Sequence, residues 1–84
     1  MPPTCVVSAQ ISVYPLRQEH ISPAVEAVRQ ALEDQGLQPQ VGPMSTIVTG
    51  KAAAVFAALQ EGFTRAVATG QVVMTVSISN ACPL

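Results

Sequence analysis

The chain has 84 residues, room for one small domain, since domains run to roughly 100–150 residues. Hydrophobic side chains make up 49% of it, which excludes a disordered segment. Four basic and five acidic residues give a net charge of −1, and the charged fraction of 11% is under half the usual value of about 25%. So small a basic complement argues against a phosphate-tracking binder and predicts no nucleic-acid partner. No apolar run reaches the roughly 18 residues of a membrane helix, and the start, Met1 to Cys5, lacks the basic region of a secretory signal. The expectation is a cytoplasmic module with no membrane insertion and a surface too poor in charge to stand bare.

Residues 5–14 alternate with period two. Val7, Ala9, Ile11 and Val13 fall on one face, and Ser8, Gln10, Ser12 and Tyr14 on the other. This predicts a strand with one apolar side, ended by Pro15, which lacks a donor. After a loop over 16–21, Ser22-Pro23 starts a helix: a hydroxyl N-cap, then proline where its missing N–H is harmless. Val25, Val28, Ala31 and Leu32 form the inner stripe of that helix, and Glu26, Arg29 and Glu33 an outer ladder of charges. Gly36 is placed to be the residue just past its C-cap. Residues 37–41 carry Pro39 and read as an edge strand, joined by a Gly42-Pro43 turn to a β-branched strand over 44–49 that Gly50 breaks. Residues 51–69 predict a long helix closed by Gly70, with Val55, Phe56, Leu59, Phe63, Ala66 and Val67 at helical spacing. From 71 to 79 period two returns, Val72, Met74, Val76 and Ile78 against Val73, Thr75, Ser77 and Ser79.

The order is β-α-β-β-α-β, without linker or repeat. It predicts an α+β, ferredoxin-like domain over residues 1–84: a four-stranded antiparallel sheet with two helices on one face. Right-handed crossovers put the first and third strands in the centre and the fourth beside the first. The uncovered face of the first and fourth strands then presents Ser8, Gln10, Ser12, Tyr14, Val73, Thr75, Ser77 and Ser79, with no charge among them. A solvated sheet face ordinarily carries Lys and Glu among its threonines. Small hydroxyls and amides suit close approach by a flat neutral ligand or a second subunit, which would have to match their hydrogen bonds. On the third strand Ser45, Ile47 and Thr49 oppose Met44, Thr46 and Val48. Either set fits the core, so the pattern leaves open whether Ser45 or Thr46 reaches the open face.

Nothing in the sequence assembles an enzyme. His20 is a lone loop imidazole, and the carboxylates have no visible acid or base partner. Two cysteines without clustered His or Asp make no zinc site, and Gly50-Lys51 resembles no phosphate loop. In the antiparallel pairing of the first and fourth strands, their core faces require directly opposed residues to have an odd index sum, and a sum of 87 fits. That pairs Ser12 with Thr75 and brings Cys5 near Cys82. A disulfide is sterically feasible there, but a cytoplasmic location favours two thiols.

The segments Ser12 to Leu16, Ser45-Thr46 with Gly50, Val55-Phe56, Phe63 to Gly70, Val72 to Met74 and Ser79 to Pro83 are similar to one repeat of the YkoF-like family. That family is related to the broader thiamine-binding superfamily, which carries a Gly-Pro-Met turn like Gly42 to Met44. The resemblance spans nearly the whole chain and departs at Asn80-Ala81, where a small residue and glycine are typical. It implies a ferredoxin-like, non-catalytic module with no cofactor that binds thiamine or its hydroxymethylpyrimidine moiety in vitamin uptake or salvage. Better-known members have two tandem repeats, so a single repeat implies a homodimer or homotetramer, with a functional link to a vitamin transporter. The ligand contacts it points to are Gln10, Ser12, Tyr14, Ser45 or Thr46, Ser77, Ser79 and Asn80. An aminopyrimidine offers donors and acceptors that such residues match, and Tyr14 would stack on a cationic thiazolium. A diphosphate would want basic residues that the face lacks. The alternative is an oligomeric structural or regulatory subunit that uses the uncharged face only for assembly.

Overall fold

The computed structural model describes residues 6–16, 22–43 and 45–81. Cys5, His20, Met44 and Cys82 therefore lie outside the described residues, and with them the expectation of two thiols and the loop over 17–21.

The elements run β1 (Val6–Pro15), α1 (Ser22–Asp34), β2 (Gln40–Val41), β3 (Thr46–Lys51), α2 (Ala52–Ala66), a 3₁₀ turn (Val67–Thr69) and β4 (Val72–Ser79). The sheet is antiparallel in the order β2-β3-β1-β4, so β1 and β3 are central and β4 lies beside β1. This is the predicted ferredoxin-like architecture. β1 and β4 pair with Ser12 opposite Thr75 and Gln10 opposite Ser77, so the index sum of 87 that the faces allowed is the one adopted. Both helices lie over the face carrying Val7, Ala9, Ile11 and Val48, which pack with Val28, Leu32, Val55 and Leu59 in one core.

α1 ends as Gly36 predicts. Its φ is +78°, a conformation that glycine adopts without strain. The N–H of Leu37 donates to Leu32 O at 3.0 Å and that of Gly36 to Glu33 O at 2.9 Å, the paired bonds of a Schellman cap. The motif also drives Leu37 into the core beside Leu32, so Leu37 is not part of an edge strand. With Pro39 unable to donate, only Gln40 and Val41 pair, and the predicted strand over 37–41 shrinks to two residues.

Gly50 does not break its strand. β3 continues through Gly50 and Lys51, and Gly50 is there to make room: a Cβ at this position would stand 2.4 Å from Leu37 Cδ2. Thr46 and Val48 turn toward the helices, whereas Ile47 and Thr49 are exposed on the open side.

α2 is rotated from the expected setting. Its buried residues are Val55, Ala58, Leu59, Gly62 and Ala66, while Phe56 (55% exposed), Phe63 (41%) and Val67 (42%) face outward. Close approach to α1 is the reason. A Cβ on Gly62 would lie 3.2 Å from Val28 Cα, and Ala58 and Ala66, four residues to either side, are likewise small. Small residues let two helix backbones approach, and every other side chain of α2 follows from that rotation. Arg65 bridges the pair, meeting Asp34 of α1 at 2.9 Å and Glu61 of its own helix at 3.0 Å.

Candidate ligand-binding site

Among the concavities that the described residues form, one lies at the end of the sheet beneath α1 and another on its open face. The first opens where the end of β1, the β2–β3 turn and the first turns of α1 converge. It measures about 350 Å³ and is lined by Ile11, Val13, Tyr14, Ser22, Val25, Glu26, Val41, Gly42, Pro43, Ser45 and Thr46. That volume is at the small end of the roughly 300–1,000 Å³ of small-molecule sites.

Each wall follows from a local cause. Ile11 and Val13 are core-side residues of β1. Ile11 is fully covered; Val13 is only half-buried. Thr46, at the start of β3, is the single buried polar residue among those described, 5% exposed, and sits at the floor. Gly42-Pro43 forms the opposite wall, its turn closed by the Gly42 N–H donating to Ser45 O at 2.8 Å. Val25, a turn into α1, is half-buried and meets the cavity, while Ala24 takes the core position expected of it. Glu26 stands at the rim. Arg29 donates to its carboxylate through Nε, at 2.9 Å to each oxygen, and through Nη2; Nη1 reaches Glu33. These hydrogen bonds from Arg29 hold the Glu26 carboxyl below the ordinary carboxylate range, against a smaller opposing effect of desolvation.

The second concavity lies on the open face. It measures about 330 Å³ and is shallower, lined by Ser8, Ala9, Gln10, Ile47, Ser77, Ile78, Ser79 and Ala81. Its hydroxyls are partly engaged with one another. Ser8 and Thr49 share a hydrogen bond of 3.1 Å, Gln10 Nε2 donates to Ser45 Oγ at 3.3 Å, and the Ala81 N–H donates to Ser79 Oγ at 2.9 Å. Around it the face carries no charge except at one corner, where Lys51 pairs with Val6.

The residues expected to form one site are thus divided. Tyr14, Ser45 and Thr46 line the cavity beneath α1, while Gln10, Ser77 and Ser79 line the open-face hollow. Ser12 lies in the middle of the open face, opposite Thr75, and lines neither concavity; nor does Asn80. The open choice on β3 resolves with Ser45 joined to Gln10 of the open face and Thr46 beneath the helices. Ser22, Val25, Glu26 and the Gly42-Pro43 turn complete the cavity and were not marked by pattern. Glu26 reads from sequence as one member of an outer charge ladder, and only the position of the β2–β3 turn makes it a wall. Among the described residues no group of His, Cys, Asp or Glu could hold a metal ion, and no helix is long and apolar enough to cross a membrane.

Comparisons with known proteins agree with this architecture. A hypothetical protein from Methanocaldococcus jannascii superposes with a TM-score of 0.80 at 21% identity, over 89% of this chain and 79% of that one. A protein from Streptococcus pneumoniae does so with a TM-score of 0.78 at 24% identity, over 88% and 84%. A protein of suggested role in thiamine biosynthesis or salvage from Thermotoga maritima gives 0.76 at 18% identity, over 88% and 82%. At such identities these likenesses speak for the fold alone. No curated protein matches the sequence. The model of one family, described as thiamine-binding protein, matches residues 9–80, from the middle of β1 to just past β4. The chain belongs to the thiamine-binding protein family.

Proposed function

We propose that this chain is a non-catalytic binding protein for thiamine or its hydroxymethylpyrimidine moiety, serving vitamin uptake or salvage in the cytoplasm. The observation that carries the reading is the cavity beneath α1. Its walls Ile11, Val13, Val25, Val41 and Pro43 are apolar, and hydroxyls of Ser22, Ser45, Thr46 and Tyr14 border it. A few polar groups in an otherwise apolar cleft are what fixes the orientation of a flat heterocycle. The aminopyrimidine ring goes to the floor against Thr46 and Ser45, with Tyr14 as an aromatic wall at the mouth. Membership in the thiamine-binding family supports the ligand class.

The open face has a different role in this proposal. Gln10, Ser12, Ser77, Ser79 and Asn80 belong to a surface that takes a second copy of the chain, giving a homodimer or homotetramer, and a functional link to a vitamin transporter follows from an uptake role. The uncharged hydroxyl surface between Ser8 and Ser79 also favours the second reading, a subunit that uses this face for assembly and carries no ligand.

Titration calorimetry with thiamine and hydroxymethylpyrimidine separates the two. Saturable heat with either compound, accompanied by a raised melting temperature, is the expected result, because a ligand that binds only the native state stabilises it. Absence of heat and of a melting shift at millimolar concentrations of both would leave the assembly reading.

A further inference from the structure

Among the described residues lining the cavity, Glu26 is the one ionisable side chain that carries charge at neutral pH, and no lysine or arginine lines it. It occupies the rim, exposed, whereas the hydroxyl-bearing floor at Thr46 is buried. Arg29 does not cancel it. The guanidinium is shared between Glu26 and Glu33, so the three side chains sum to one negative charge. Within the Glu26 carboxylate, Oε1 accepts from both Nε and Nη2 of Arg29 while Oε2 accepts from Nε alone, which leaves Oε2 the freer oxygen.

An opposing field exists at the same mouth. Ser22 begins α1, and a helix N-terminus carries roughly half a positive charge that favours anions. Pro23 contributes no N–H to it, however, and the Glu26-Arg29-Glu33 group, with its net negative charge, follows one turn farther on. The two influences predict opposite ligands: a phosphorylated compound if the helix end prevails, a cation if Glu26 does. The net negative charge of the Glu26-Arg29-Glu33 group at the rim outweighs half a charge that fades within the first turn.

Resting on the binding reading above, we propose that Glu26 selects the charge of the ligand, so that the cavity takes a molecule with a neutral hydrogen-bonding head at the floor and a cationic ring at the rim, and disfavours its phosphate esters. Thiamine has that form, since its aminopyrimidine is neutral and its thiazolium carries a permanent positive charge. Hydroxymethylpyrimidine has the head without the cation. Glu26 therefore separates the two, acting on thiamine and leaving the pyrimidine alone.

The test is calorimetry of the wild-type chain, Glu26→Gln and Glu26→Lys with thiamine, hydroxymethylpyrimidine and thiamine monophosphate. Glu26 is exposed, so both variants keep the fold, and a thermal melt of each verifies this. Glu26→Gln should weaken thiamine about threefold to fivefold, the upper part of the range for one solvent-screened charge contact, and change hydroxymethylpyrimidine by less than about twofold. Glu26→Lys should invert the order, binding the monophosphate more tightly than thiamine. Thiamine binding that Glu26→Gln leaves intact would overturn the assignment while the vitamin reading stands. Wild-type preference for the monophosphate would overturn it in favour of the helix end. Silence from all three compounds with the wild-type chain would remove the vitamin reading itself.

Discussion

Thr46 is a hydroxyl placed where the neighbouring Val48 places a methyl. Both are buried on the helix side of β3, and only Thr46 borders the cavity. Thr46→Val keeps the shape and removes the oxygen, so the fold should tolerate it within about 1 kcal/mol. Thiamine binding should weaken by up to about tenfold, the scale of one lost neutral hydrogen bond, which calorimetry reads directly. Tyr14→Ala should cost more, because it removes apolar area and a ring face together. Charge at this scale sets the response to acid. Glu26, through its hydrogen bonds from Arg29, and Asp34, through those from Gln30 and then Arg65, titrate below their ordinary values of 4.5 and 3.8. The native state therefore binds fewer protons than the unfolded chain in that range. The resulting stability is complete above the ordinary values and is lost as pH falls through the lowered ones. Melting temperatures should be flat from pH 8 to about 5 and decline below, with little change in the Glu26→Gln variant's neutral-pH value.

The pairing of α1 with α2 rests on small side chains rather than large ones. Gly62 lies against the Val28 backbone, and a branched side chain there has nowhere to go. Gly62→Val should destabilise by about 2 kcal/mol or more, since the overpacking cost of roughly 1–3 kcal/mol exceeds any gain in helix propensity. Phe56 supplies the converse test. It is 55% exposed, so Phe56→Ser should change stability by less than about 0.5 kcal/mol, whereas Leu32→Ala, in the fully buried stripe of α1, should cost about 2–5 kcal/mol. Denaturant unfolding of the three variants gives the ranking. Equal losses for Phe56→Ser and Leu32→Ala would return Phe56 to the core and contradict the rotation of α2.

Across the molecule, the charge deficit finds its place on the sheet. Its open face presents Ser8, Gln10, Ser12 and Tyr14 of β1 and Val73, Thr75, Ser77 and Ser79 of β4, a surface a second copy can approach without desolvating an ionised group other than Lys51 at the corner of β3. The chain should sediment above its 8.7 kDa monomer mass at micromolar concentration. Ser12→Lys or Ser77→Glu should return it to monomer, because a lone buried charge costs several kcal/mol. An assembly that survives both substitutions would have its interface elsewhere.

Local sequence alone was enough for the order of elements, the faces of the first and last strands and the cap on α1, because each depends on near neighbours. Period two in residues 5–14 and 71–79 assigns faces, those faces restrict the β1–β4 index sum to odd values, and glycine at 36 is needed whatever lies beyond. The protein family was also legible, through short motifs spread over the chain. What the chain could not disclose locally is how its elements meet. Phe56 and Phe63 have the spacing of core residues, yet a stripe of spacing specifies a helix without its rotation, and that was decided by Gly62 against Val28. Gly50 reads as a strand breaker until Leu37, thirteen positions earlier, is seen to fill the space above it. Ser45 and Thr46 were interchangeable by pattern, and pairing with β1 separated them. The cavity belongs to this second group: α1, the β2–β3 turn and the end of β1 are distant in sequence, and only packing makes Glu26, Thr46 and Tyr14 walls of one space.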